Sequence, residues 1–265
     1  GLNTTDLQKR DNFNTIGHFG KVILDIQPDV NENRLWIATW DNGLFLYDWQ
    51  KDAILRHYSQ NATDSTLKLP SNNISSILVD GPNIWLGTSG MGVVKIETGK
   101  NKVLSQETSY EDPFSIEDSK YINHLMKDSD GWIWISSSEG LRKYKDGVQI
   151  KFPYSDKENE LPQNQISCCY EDSQQRIWVL TATSGIVLYD KETNGFKNYS
   201  KEYDIPTDLK SIQEDENGML WLIARNRIIE FSPSNKSSKL YEMEDGSEEI
   251  SFNAKSIHRD NANNI

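Results

Sequence analysis

Five tryptophans, Trp36, Trp85, Trp134, Trp178 and Trp221, stand in near-copies of one segment, spaced 49, 49, 44 and 43 residues apart. Aligned on the indole, the copies read LWIATWDNGLFLY (35–47), IWLGTSGMGVVKI (84–96), IWISSSEGLRKY (133–144), IWVLTATSGIVLY (177–189) and LWLIARNRIIEF (220–231). A period in the forties, rich in aromatic and β-branched residues, predicts the blades of a β-propeller.

Each copy resolves into strands. Before every Trp runs an alternating segment: VILDI (22–26), ISSILVD (74–80), INHLMKD (122–128), ISCCYED (166–172) or LKSIQED (209–215). A polar turn leads into the Trp strand. A second small loop then ends at Gly43, Gly92, Gly140 or Gly185, and a third strand carries Tyr47, Ile96, Tyr144, Tyr189 or Phe231. A fourth apolar run closes the unit, as in ILRHY (54–58), VQIKF (148–152) and FKNY (196–199). Four strands of about five residues joined by tight turns make one antiparallel blade. The expected class is all-β, with whole blades at 21–59, 72–105, 120–152, 164–199 and 207–241.

The ends extend the pattern. Gly1-Leu2-Asn3 aligns with Gly43-Leu44-Phe45, so residues 1–20 read as the second half of a blade. FNAKSIHRD (252–260) aligns with the first strand and places a first half at 250–265. The sequence therefore predicts a partial ring, five whole repeats plus two half-repeats, cut from a longer polypeptide.

Residue types follow from these positions. Asp80, Asp128, Asp172 and Asp215 end the first strand, where a short carboxylate accepts hydrogen bonds from the amides of its own turn. The loop glycines suit a backbone that needs positive φ or close approach to its neighbour. The five repeat tryptophans are expected in the core, packing against the next sheet.

Charge and composition remove several functions. A net charge of -12 is repelled by phosphate backbones, so no nucleic-acid partner is expected, and membrane surfaces are disfavoured likewise. No stretch approaches the roughly 18 apolar residues of a membrane helix. The two cysteines, Cys168 and Cys169, are neighbours on a strand and point to opposite faces, which leaves no disulfide framework. His18, His57, His124 and His258 occupy unrelated repeat positions. No metal-ligand spacing and no nucleophile with its base emerges, so neither a metal, a cofactor nor a catalytic residue is assigned.

The motif D-x-x-G-x-[IL]-W-[IL]-[GA]-T-x-x-G-[LV]-x-x-[YF], fullest in DSDGWIWISSSEGLRKY (128–144) and NIWLGTSGMGVVKI (83–96), resembles the two-component regulator propeller repeat. The resemblance covers nearly the whole chain. It implies a seven-bladed parent and a place in the periplasmic sensor region of a hybrid two-component system, a sensor histidine kinase/response regulator of polysaccharide-degrading bacteria. It further implies an adjacent propeller, a kinase module in the same parent, a homodimeric assembly and an oligosaccharide ligand. Two copies depart from the motif. The fifth has Arg225, Asn226 and Arg227 in place of Thr-x-x-Gly, and the first has the longer turn IQPDVNEN.

Binding is then expected on the loops joining second to third and fourth to first strands, which open together on one face around the axial funnel. These are Thr39 to Asn42, Thr88 to Met91, Ser136 to Glu139, Thr181 to Ser184 and Ala224 to Asn226, with the insertions Gln60 to Asn72, Gln106 to Lys120 and Pro153 to Asn164. Lys21, Asn73, Tyr121, Gln165, Asp208 and Asn253 begin first strands and are expected at the funnel mouth. Trp40 occupies a loop position where other copies have Ser89, Ser137, Ala182 and Arg225, so the blade does not require its indole. Beside Asp41 and Asn42 it offers a face for a sugar ring; alternatively it caps a loop or meets another propeller. Arg225 and Arg227 suit an anionic group such as a uronate or sulfate, or else a surface carboxylate. The candidate ligand residues are Trp40, Asp41, Tyr121, Arg225, Asn226 and Arg227. An enzyme on a propeller scaffold, a lyase or hydrolase, and a docking scaffold are the competing readings.

Overall fold

The computed structural model describes residues 19, 22–31, 33–105, 120–242 and 257. The expected half-blades at 1–20 and 250–265 lie almost wholly outside these residues, as do His18, Lys21, Asn253, His258 and most of the loop 106–120.

The strands form five four-stranded antiparallel sheets, each in simple sequence order. The first holds β1 (Ile23–Pro28), β2 (Arg34–Thr39), β3 (Leu44–Asp48) and β4 (Ala53–Tyr58). The second holds β5 (Ile74–Asp80), β6 (Asn83–Thr88), β7 (Val93–Glu97) and β8 (Lys102–Leu104). The third is β9 (Ile122–Lys127), β10 (Ile133–Ser137), β11 (Gly140–Lys145) and β12 (Val148–Phe152). The fourth is β13 (Ile166–Glu171), β14 (Ile177–Thr181), β15 (Gly185–Asp190) and β16 (Gly195–Asn198). The fifth is β17 (Ser211–Glu214), β18 (Leu220–Ile223), β19 (Arg227–Ser232) and β20 (Ser237–Glu242). These are propeller-type blades, and the all-β class read from the repeat is the class found.

Burial explains the strand sequences. β10 and β14 are buried at every residue, on both faces, which is why the Trp strand is a nearly unbroken apolar run. β4 and β12 are edge strands with mixed exposure, and their sequences carry Arg, His, Gln and Lys.

Two compact units divide the chain, one within Gly1–Leu125 and Asp146–Gln149, the other within Met126–Lys145 and Ile150–Ile265. In the first, blades one and two share a core of Trp36, Tyr58, Leu69, Ile74, Ile84 and Leu86, among others. Polar contacts fix the register: Asp25 Oδ2 accepts the Ile77 amide at 2.9 Å, and Ser76 Oγ accepts the Leu125 amide at 3.1 Å. In the second unit one core joins blades three and four around Trp134, Phe152 and Tyr189, and another joins blades four and five around Trp178, Ile212 and Phe231. A repeated clamp spans the blades there. Glu171 accepts both the amide and the hydroxyl of Ser129, and Glu214 does the same for Ser173, all at 2.6–2.7 Å.

The turn aspartates do more than the sequence indicated. Asp128 accepts the Trp132 amide, and its other oxygen accepts the indole N–H of Trp134 at 2.7 Å. Asp172 binds Trp178 at 2.7 Å and Asp215 binds Trp221 at 3.0 Å in the same way. In blade one the irregular turn supplies Asp29, which accepts from Trp36 Nε1 at 2.9 Å. Burial acts to raise the Asp29 pKa, but the hydrogen bonds from Asn31, Trp36 and the Val30 amide outweigh it and hold the carboxyl below the ordinary aspartate range.

Two sequence expectations need correction. The apolar run FKNY (196–199) predicts a fourth strand through Tyr199, but β16 ends at Asn198 and helix α1 (Tyr199–Tyr203) follows. Asn198 starts it by accepting the Lys201 amide, Asp204 ends it in the left-handed conformation, and Tyr199 and Tyr203, one turn apart, pack on Phe231. Trp36, Trp85, Trp134 and Trp178 are buried, but Trp221 is only partly so: it stacks on Tyr241, and no later sheet lies among the described residues to cover it.

Candidate functional site

The loops between second and third strands share one local design. In blade one, Thr39 Oγ1 donates to the Gly43 carbonyl at 2.8 Å and accepts the Asn42 amide at 3.0 Å. Thr88, Ser137 and Thr181 repeat the arrangement with Gly92, Gly140 and Gly185, so Ser137 answers to Thr39, and the residue at the Trp40 position in blade three is Ser138 rather than Ser137. The hydroxyl satisfies the loop's backbone, which frees the intervening side chains for other uses. Gly43 is obligatory: its φ is +78°, and a Cβ there would sit 2.1 Å from the Tyr58 carbonyl oxygen. Blade five has Ala224 in place of the hydroxyl and a shorter turn, closed by the Ala224 amide bonding to the Arg227 carbonyl at 2.9 Å.

In the first unit these loops are laced to the segments that begin first strands. The Trp40 amide donates to the Val22 carbonyl, Gly43 to Asn72, Ser89 to Asn73 and Gly90 to Lys120, all at 2.8–3.0 Å. Ser89 also bridges to Tyr121. His57 steadies the rim from behind, stacked on Phe45 at 4.1 Å with Nε2 2.7 Å from the Asn42 carbonyl. On this laced rim the Trp40 side chain is 48% exposed and Tyr121 53%, while Asp41 is exposed between Trp40 and Asn42. Trp40 and Tyr121 thus share one connected edge.

The fifth-blade candidates belong to the other unit. Arg225 and Asn226 are exposed in the turn. Arg227 is already engaged, its Nη2 2.9 Å from Asp208 Oδ1, so the surface-carboxylate alternative describes its position.

Nothing among the described residues assembles a catalytic constellation. No group of three or more His, Cys, Asp or Glu side chains there could hold a metal ion. Cys169 is buried against Ser136 Oγ, and burial pushes its thiol pKa far up, which makes it inert. No helix among them is long and apolar enough to cross a membrane.

Comparison with known proteins places this geometry. A profile described as the two-component regulator propeller matches residues 68–90, 116–139 and 160–183. Histidine kinase P4 of Formosa agariphila is 24% identical over 226 residues, covering 82% of this chain but 16% of that protein. Among solved structures, the extracellular domain of a protein described as a hybrid two-component system from B. thetaiotaomicron superposes with a TM-score of 0.71 at 21% identity, covering 92% of this chain and 32% of that one. Virginiamycin B lyase from Staphylococcus aureus superposes at 0.60 with 15% identity, over 84% of this chain and 70% of that one, so the blade arrangement also occurs in an enzyme. The chain spans well under half the length of the two-component relatives it matches. The indole repeat, the four-stranded blades and the matched stretches agree: within residues 68–90, 116–139 and 160–183 the chain is similar to the two-component regulator propeller, on a propeller-type fold.

Proposed function

We propose that the chain is a non-catalytic, periplasmic sensor segment of a hybrid two-component system, and that its loop rim helps recognise an oligosaccharide released from a complex glycan. The observation that carries this reading is the pair of exposed aromatics, Trp40 and Tyr121, on one laced edge that the blade itself does not need. An indole face takes the C–H face of a sugar, and Asp41 and Asn42 beside it offer partners for hydroxyls. In the parent, recognition would bias the arrangement of two sensor copies and thereby the histidine kinase module carried elsewhere in the chain. Arg225 and Asn226 form a second, separate contact point suited to an acidic sugar.

The test is calorimetry of the full receptor with its inducing glycan. Trp40→Ala or Arg225→Ala should weaken binding at least about tenfold, or 1.4 kcal/mol, with the melting temperature unchanged. Unaltered affinity in both variants would move recognition to another propeller and leave this segment a scaffold. Release of products from a polysaccharide panel by this chain, abolished by one loop substitution, would favour the enzyme reading that the lyase's fold allows.

A further inference from the structure

Between blades three and four, the space behind the paired indole is full. Lys143, opposite Trp134 in the β10–β11 register, lies 4.8 to 5.6 Å from the centroids of Trp132, Trp134, Phe152 and Tyr189 and donates to the Tyr189 hydroxyl. That hydroxyl in turn donates to Asn194. Between blades four and five, Phe231 takes the place of Tyr189, and Tyr199 and Tyr203 pack around it. Each of these junctions has a ring from the following blade set against the indole.

Blades one and two differ at the same positions. Leu46 lies opposite Trp36 where Lys143 lies opposite Trp134, and Ile96 takes the place of Tyr189. No ring and no ammonium fills the gap. What remains is a cleft of about 240 Å³ between the β1–β2 turn of blade one and Gly81, Thr98 and Gly99 in the turns of blade two, floored by Trp36, Leu46 and Tyr58. Its charged lining is Arg34, Arg56 and Asp29, two cations to one anion, and the Asp64 carboxylate acts on Arg56 from outside the cleft. Asp29 is occupied by Trp36 and Asn31.

Arg56 is held in place. Its Nη1 donates to Asn101 Oδ1 at 2.9 Å and to the Tyr58 hydroxyl at 3.2 Å. Asn101, which follows β7 in the left-handed conformation, corresponds to Asn194, and it is available to Arg56 because Ile96 has no hydroxyl to claim it. The other guanidinium N–H groups of Arg56 are unbonded among the described residues, and so is Arg34. Two guanidinium groups over an apolar floor, one of them oriented in advance, are a carboxylate receptor, since the planar fork matches two oxygens at once. The volume is below the roughly 300–1,000 Å³ typical of sites for drug-sized ligands, which sets the occupant at about one ring.

We propose that the cleft between the first two blades binds a small carboxylate of monosaccharide size, with Arg34 and Arg56 on the carboxylate and the Tyr58–Leu46 floor under its body. The site is at the opposite end of the blades from the loop rim, so it does not rest on the reading above.

The experiment titrates the 265-residue chain with sodium D-glucuronate, following amide and indole N–H signals by NMR, with D-glucose as the uncharged ring. Saturable shifts at the Trp36 indole and the Gly81 and Gly99 amides are expected with glucuronate and not with glucose. Arg34→Gln or Arg56→Gln should raise the dissociation constant at least about tenfold, and added salt should weaken binding. Ile96→Tyr restores the ring that fills the later junction; it should abolish the shifts in a protein whose dispersed spectrum reports a native fold. The proposal is overturned if glucuronate gives no saturable shift, if glucose binds equally, or if folded Arg variants and Ile96→Tyr bind as the unaltered chain does.

Discussion

Removing one turn carboxylate tests whether the aspartate–indole bond holds a blade together. Asp172 is buried, with Oδ1 accepting the Gln174 and Arg176 amides at 3.0 and 2.9 Å and Oδ2 accepting Arg176 Nε at 2.6 Å and Trp178 Nε1 at 2.7 Å. In Asp172→Ala the Trp178 indole, which has no solvent exposure, is left with a buried donor lacking an acceptor. That penalty is about 1–3 kcal/mol, and the two lost turn bonds add about 1 kcal/mol each. The Arg176 pair is partly exposed and contributes at most about 1 kcal/mol. The sum is about 3–6 kcal/mol, measurable as a shift of the urea midpoint followed by far-UV circular dichroism. Trp178→Phe removes the donor and keeps most of the ring, so Asp172→Ala should be milder in that background by about 1–3 kcal/mol. A loss under about 1 kcal/mol, or strict additivity of the two changes, would refute the bond's role.

Gly43→Ala should destabilise by at least about 2 kcal/mol, because it combines a φ of +78° with a Cβ 2.1 Å from the Tyr58 carbonyl, whereas Gly99→Ala, with nothing within 4 Å, should be near neutral in the same melt. The Asp29 carboxyl is held below its ordinary range, so the unfolded chain binds the proton first as pH falls. Its stabilising contribution is complete above about pH 4 and is lost as pH falls through the folded-state value; Asp29→Asn should flatten that acid limb of the stability curve, and an unchanged limb would show that Asp29 does not contribute to it.

The strands were legible because each blade repeats one residue pattern, and the Trp strand is apolar on both faces wherever it is sandwiched. Helix α1 was not, since Tyr199 aligns with Tyr58 and Phe152, and only the Asn198 cap and the Tyr203 spacing distinguish it. The aspartates were readable as turn formers, but the second oxygen's bond to an indole six residues on is a matter of side-chain direction. Asp29 was hidden further by its irregular turn. Trp40 stood out because no other copy has an aromatic there. The cleft gave no signal at all: Leu46 and Ile96 are ordinary core residues when read singly, and the void arises from what two successive repeats both lack.

The indoles of Trp36, Trp134, Trp178 and Trp221 each bond to a carboxylate only six or seven residues away, inside their own hairpins. Closing so short a loop loses little chain entropy, so the first two strands of a repeat can acquire their lock before any neighbour is present. Burial of the indole face comes later, when the following sheet arrives. Assembly of such a chain is then expected to add one locally locked hairpin at a time, each marginal alone and held by its neighbours, with low contact order inside each and nearest-neighbour coupling between them. A repeat duplicated into the array brings its own nucleus with it, and lengthening or shortening the array leaves the nuclei already present unchanged.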